Sequence, residues 1–195
     1  IDAAAQLAGK PSMMNPEGGV AMTGHNHGNA QSNEMSEMPL APVKQPTSDE
    51  TKKAIEPLFK AYFNMKLALV NDDFEKAKAA GNEIYISLGK VDTKIFNADA
   101  QSLWFNQSTS LKQNTQHIKH LSDIKAVREN FIGISKVMIA IAQSFVPIPS
   151  PIYIHHCQMA DSNNGADWLS IEKEIQNPYF GQAMLKCGEV IKVIK

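Results

Sequence analysis

The chain has 195 residues, 43% of them hydrophobic and 20% charged, with a formal net charge of -1. That balance argues against a nucleic-acid-binding protein, which needs a basic face, and leaves no polybasic membrane patch. The length fits one ordinary domain plus a tail, and the two cysteines, Cys157 and Cys187, allow one disulfide or one shared metal site.

Residues 1–47 are rich in Gly, Asn, Ser, Ala, Pro and Met and carry neither a helical nor a strand period, so they read as a flexible tail. Five of the nine methionines lie in it: Met13, Met14, Met22, Met35 and Met38. Gly24 to Gly28 adds His25 and His27. Met22, His25, His27, Met35 and Met38 form a candidate secondary site for weak, exchangeable copper capture; the plainer reading is a solvated linker. A start at Ile1 rather than at Met fits a chain from which a secretory leader, with or without a lipid anchor, has been removed.

Four amphipathic helices are predicted over residues 48–146. In the first, Ser48 to Val70, Ile55, Leu58, Tyr62, Met65 and Leu69 recur at 3-4-3-4 spacing, with Pro57 inside the span. Asn71-Asp72-Asp73 stops it and caps the second, whose stripe is Phe74, Ala77, Ile84 and Leu88. A third is expected from about Asp99 to Leu121, carrying Trp104, Leu111 and Ile118 seven residues apart. Ser122-Asp123 opens the fourth, where Val127, Phe131, Ile134, Met138, Ile141 and Phe145 form one face, Met138 as core packing. Short connections predict an antiparallel up-down bundle. The most apolar stretch, Phe131 to Ile148, contains Lys136 and Gln143 and ends in prolines, so no transmembrane helix is expected.

Residues 147–195 follow a proline-rich break and read as part of the same domain. Ile152 to His156 and Val190 to Ile194 are predicted strands, and Asp161 to Gly165 a turn-rich loop. Asn177-Pro178 and Gly188 bracket a predicted short helix containing Tyr179, Phe180, Met184 and Cys187. The expected class is mainly α: an antiparallel four-helix bundle with a small C-terminal α+β region of two strands and a helix.

Two clusters there carry chemistry, His155-His156-Cys157-Gln158-Met159 and Met184-Leu185-Lys186-Cys187. On a helix Met184 and Cys187 share a face. Antiparallel pairing of the two strands brings Cys157, Met159, Met184 and Cys187 to one edge. Thiolates and thioethers are soft donors that select Cu(I) or Ag(I). His155 shares a strand face with Cys157, whereas His156 points the other way, and either can join the set. The competing reading is a Cys157–Cys187 disulfide with Met159 and Met184 as core fillers. His117 and His120, three apart on the third helix, read as a polar face before a chelate. There is no nucleophile elbow, no glycine-rich phosphate loop and no Cys-x-x-Cys pair, so an enzyme is not expected.

Tyr153 to Ala160, Gly165 to Ser170, Glu174 to Gly181 and Met184 to Gly188 resemble a family of small envelope domains of unknown function. Its members stand alone or are fused to the C-terminus of periplasmic adaptors of copper/silver (CusB-like) efflux pumps. The resemblance spans about Ser48 to Lys195. It implies a periplasmic or cell-envelope location, heavy-metal handling and an efflux adaptor as partner. The family's usual Cys-Pro-Met-Ala motif has Gln158 in place of the proline here, which keeps both sulfur donors and alters the turn. The expected function is therefore a Cu(I)/Ag(I)-binding accessory protein acting by ligand exchange, with no cofactor needed for folding. The alternative is a disulfide-stapled helical module that docks on an envelope partner.

Overall fold

The computed structural model describes residues 42–148 and 151–195, all within one compact unit. Four long helices and a three-stranded antiparallel sheet make up most of it. Helix α1 spans Asp49–Val70 and opens on Ser48, whose side chain accepts the Thr51 N–H at 3.1 Å. Asp49 and Glu50 face the positive end of its dipole. The helix runs through the exposed Pro57 in its third turn. A proline there costs the Lys53 carbonyl its partner, but burial of Ile55, Leu58, Phe59 and Tyr62 outweighs that loss.

Helix α2, Phe74–Leu88, is capped by Asp73, which accepts the Lys76 N–H at 3.0 Å. After one 3-10 turn, Thr93–Ile95, Asn97 caps helix α3, Ala98–Thr115. The sequence pattern extends α3 to Leu121, but it stops at Thr115. Its last side chains compete for helix carbonyls: Asn114 donates to the Ser110 carbonyl and Thr115 to that of Leu111, both at 2.8 Å. A separate 3-10 turn, Ile118–His120, follows, so His117 and His120 lie off the helix, both exposed. Helix α4, Ile124–Phe145, starts at Asp123, which accepts the Ala126 N–H at 2.8 Å. Its stripe of Val127, Phe131, Ile134, Met138, Ile141 and Phe145 is wholly buried. No helix among the described residues is long and apolar enough to cross a membrane.

Aromatic contacts knit the helices together. Phe96 stacks on Trp104 at 5.0 Å with Phe145 edge-on, and Tyr62 stacks on Phe131 at 5.2 Å. Such pairs add roughly 0.5–1.5 kcal/mol each beyond area burial.

The C-terminal region holds three strands where the sequence suggests two: β1 Ile152–Cys157, β2 Ala166–Ser170 and β3 Glu189–Ile194, in the order β2-β1-β3. The unforeseen β2 lacks the alternating β-branched pattern; pairing with β1 makes it a strand, with His155 opposite Trp168 and Cys157 opposite Ala166. Between β1 and β2 the backbone turns through Asp161, Ser162 and Asn163, all left-handed at φ 52, 56 and 70°. The expected helix between Asn177 and Gly188 is instead a loop with one 3-10 turn, Gly181–Met184. Gly181 sits at φ +57°, and a Cβ there would meet Asp72 and Arg128. Met184 and Cys187 therefore do not share a helix face.

Sheet and helices are clasped by polar contacts. The Tyr62 hydroxyl accepts the Leu169 N–H at 3.0 Å and bonds Ser135 at 2.8 Å. Buried Lys66 reaches Glu172 at 3.0 Å and Ser170 at 3.3 Å. Arg128 bonds Asp72, the Leu69 carbonyl and the Pro178 carbonyl, tying the α1–α2 turn to the C-terminal loop.

Candidate functional site

Cys157 ends β1 and is fully buried; Cys187 stands two residues before β3 and is half-buried. Because β1 and β3 pair antiparallel, the end of one meets the start of the other. The two sulfurs lie 3.1 Å apart as free thiols. The hydrogen bond to Cys157, and to a lesser degree burial, push the Cys187 thiol above its usual range.

Asn177 builds the loop that presents Cys187. Fully buried, it accepts the N–H groups of Tyr179 at 2.8 Å and Phe180 at 3.3 Å, and its amide donates to the Cys187 carbonyl at 2.8 Å. Gly188, at φ +137°, completes the approach: a Cβ there would sit 2.7 Å from the His156 carbonyl oxygen and 2.9 Å from the Trp168 ring. Trp168 packs edge-on to His155 and to Tyr179, and the Tyr179 hydroxyl donates to the Asp167 carbonyl at 2.5 Å.

The two histidines of the motif have different surroundings. His155 lies on the same strand face as Cys157, is fully buried, and neither ring nitrogen has a partner among the described residues. Burial first, and the Lys66 charge second, lower its pKa to about 4, so it is neutral at pH 7. His156 faces the other way, beside Gly165, with Nδ1 2.6 Å from Asp167 Oδ1. A carboxylate on one ring nitrogen fixes the imidazole and leaves Nε2 as the available donor, the arrangement that orients metal-binding histidines. Asp167 escaped the sequence reading because its role depends on β2, whose register sets it opposite His156.

Of the thioethers, half-buried Met184 belongs to the turn that ends at Cys187, whose N–H donates to the Met184 carbonyl at 3.0 Å. Met159 is 42% exposed and lines an open cleft with Ile132, Arg128 and Phe180. The tail candidates Met22, His25, His27, Met35 and Met38 lie outside the described residues. Among the described residues no three His, Cys, Asp or Glu side chains converge to hold a metal ion. The donor set at the sheet end is thus a thiol pair with a thioether in the adjoining turn. That set suits a soft monovalent ion better than zinc, which takes four Cys or His ligands in structural sites.

Lys66 was not singled out by the sequence, where it reads as one more charge in a helix. Its ammonium is buried, and Glu172 is its counter-charge. Burial raises the Glu172 pKa, but hydrogen bonds from Lys66 and Ser170 outweigh it and hold the carboxyl below its usual range.

No curated protein and no solved structure matches the chain. One family model matches part of it, from Leu58 within α1 to just past the end of α4, and its span leaves the Cys/Met motifs and the whole sheet outside. Residues 58–149 match the model of a family, DUF3347, described as a protein of unknown function.

Proposed function

We propose that this protein binds Cu(I) or Ag(I) through the thiolates of Cys157 and Cys187 and passes the ion on by ligand exchange. The observation that carries this reading is the 3.1 Å separation of the two sulfurs at the end of the sheet. Two metal–sulfur bonds of about 2.3 Å at a tetrahedral angle span roughly 3.7 Å, so a small rotation of Cys187 admits an ion. Met184, in the turn that ends at Cys187, offers a thioether, and His156, oriented by Asp167, stands at the same end of β1 on the opposite face of the strand. In this reading α1–α4 form an antiparallel four-helix scaffold, and the chain serves metal efflux or homeostasis in the periplasm or cell envelope. Its partner is a periplasmic efflux adaptor of the CusB-like kind, and no bond-making chemistry on a substrate is involved. The soft donor set and the C-terminal motifs support these assignments.

The test is a Cu(I) competition titration of the reduced protein against a chromogenic chelator, with free thiols counted before and after. One ion per chain with both thiols protected is expected, and Cys157→Ser abolishes tight binding. Wild-type affinity in Cys157→Ser overturns the reading. The same sulfur contact also favours a second reading, a disulfide staple in a module that docks on an envelope partner. That reading requires both cysteines oxidised in the isolated protein and no metal uptake.

A further inference from the structure

We infer that the thiol pair is an asymmetric thiol–disulfide exchange device, in which Cys187 is the entry thiol and Cys157 the resolving thiol, so that its oxidation state sets whether the ion is held. The asymmetry lies in the structure. Cys157 has no exposed surface, whereas Cys187 is reachable from solvent on a loop held by Asn177. An incoming disulfide reaches Cys187 and cannot reach Cys157. Cys157 in turn sits 3.1 Å behind Cys187, within attacking distance of its sulfur. The left-handed Gly188 backbone beside them admits Trp168 and keeps this pair close.

The chemistry balances with a small disulfide, RS–SR, as oxidant. The Cys187 thiolate attacks one sulfur, forming Cys187–S–SR and releasing RS⁻. The Cys157 thiolate then attacks the Cys187 sulfur, forming the Cys157–Cys187 bond and releasing a second RS⁻. The two protons lost by the cysteines are taken up by the two leaving thiolates. Two protein thiols are oxidised and one disulfide is reduced to two thiols. The disulfide leaves no thiolate for a soft ion. That regulatory consequence rests on the metal-binding reading above; the order of attack does not.

The experiment uses metal-free, reduced full-length chain and glutathione disulfide, followed by intact mass and peptide mapping. Wild type is expected to form the internal disulfide without a lasting glutathione adduct. Cys157→Ala accumulates one adduct on Cys187, and Cys187→Ala stays unmodified over the same time. As a check that needs no variant, iodoacetamide on the native wild type labels Cys187 at least about tenfold faster than Cys157. Equal labelling of the two, a stable adduct on Cys157, or failure of the wild type to close overturns the order of attack. A Cu(I) titration of the oxidised protein then isolates the gating. Affinity lost on oxidation and restored by reductant supports it. An oxidised chain that binds as tightly as the reduced one places the ion elsewhere, sinking the metal reading while leaving the exchange order intact.

Discussion

Lys66, in the middle of α1, extends to the carboxylate of Glu172 just beyond β2, 3.0 Å away and 106 residues on in the chain. The Lys66 side chain is 4% exposed and that of Glu172 45%. That imbalance decides which half matters. Glu172→Ala leaves a buried ammonium without its counter-charge, at a cost of about 2 kcal/mol once the partial exposure of Glu172 is allowed for. Lys66→Met fills the same space without a charge and is expected to cost less. Urea unfolding of both variants checks this, and a larger loss in Lys66→Met contradicts it.

His155 makes stability depend on pH. Its pKa is about 4 in the fold against 6.5 ordinarily, so between those values the unfolded chain binds more protons than the folded one. Stability therefore rises with pH through this window and is lost as pH falls from about 6.5 toward 4, by up to about 3 kcal/mol. Neither ring nitrogen has a partner among the described residues, so His155→Phe sacrifices no hydrogen bond there. The variant is expected to match wild type at pH 7 and to exceed it at pH 5. Stability curves for the two that stay parallel from pH 7 to 5 refute the assignment.

Asn177→Ala removes one buried side chain and strands three backbone groups, the N–H groups of Tyr179 and Phe180 and the Cys187 carbonyl. A loss of about 2–3 kcal/mol is expected. The loop loosens, so native-state labelling of Cys187 quickens as well. A variant with unchanged labelling shows that Asn177 does not position the thiol.

Gly188→Ala combines an unfavourable φ of +137° with contacts under 3 Å to the His156 carbonyl and the Trp168 ring. The backbone has to move, at roughly 1–3 kcal/mol. Because Gly188 adjoins Cys187, the sulfurs separate, and Cu(I) affinity is expected to fall about tenfold or more, each tenfold being about 1.4 kcal/mol. Titration beside a melting curve tells the two effects apart; retained affinity with lowered stability restricts Gly188 to folding.

The helices were legible because each carries an apolar stripe, and the second and fourth open on capping residues that the sequence marks. Asp73 and Asp123 take those caps in the fold, and Ser48 and Asn97 cap the other two. The end of α3 was not, since Asn114 and Thr115 divert helix carbonyls through side chains that a periodicity count ignores. Asn177 before Pro178 marks a helix cap in the sequence and does cap two N–H groups, yet the chain turns away at Gly181 rather than continuing as helix. The meeting of Cys157 with Cys187 was legible from strand connectivity alone. The oriented His156 was not, because Asp167 belongs to a strand that exists only through its long-range pairing.

The clasp between helices and sheet bears on how this unit is inherited. The family match ends at residue 149, yet Tyr62, Lys66 and Arg128, all inside it, bond to Leu169, Glu172 and Pro178 beyond it. A polypeptide cut at that boundary would bare an aromatic face and a desolvated lysine at once. Relatives that carry these three residues therefore need a lid for the same face, whether encoded downstream in their own chain or lent by a neighbouring protein, and the chemistry of the lid is free to differ while the helices beneath it stay the same.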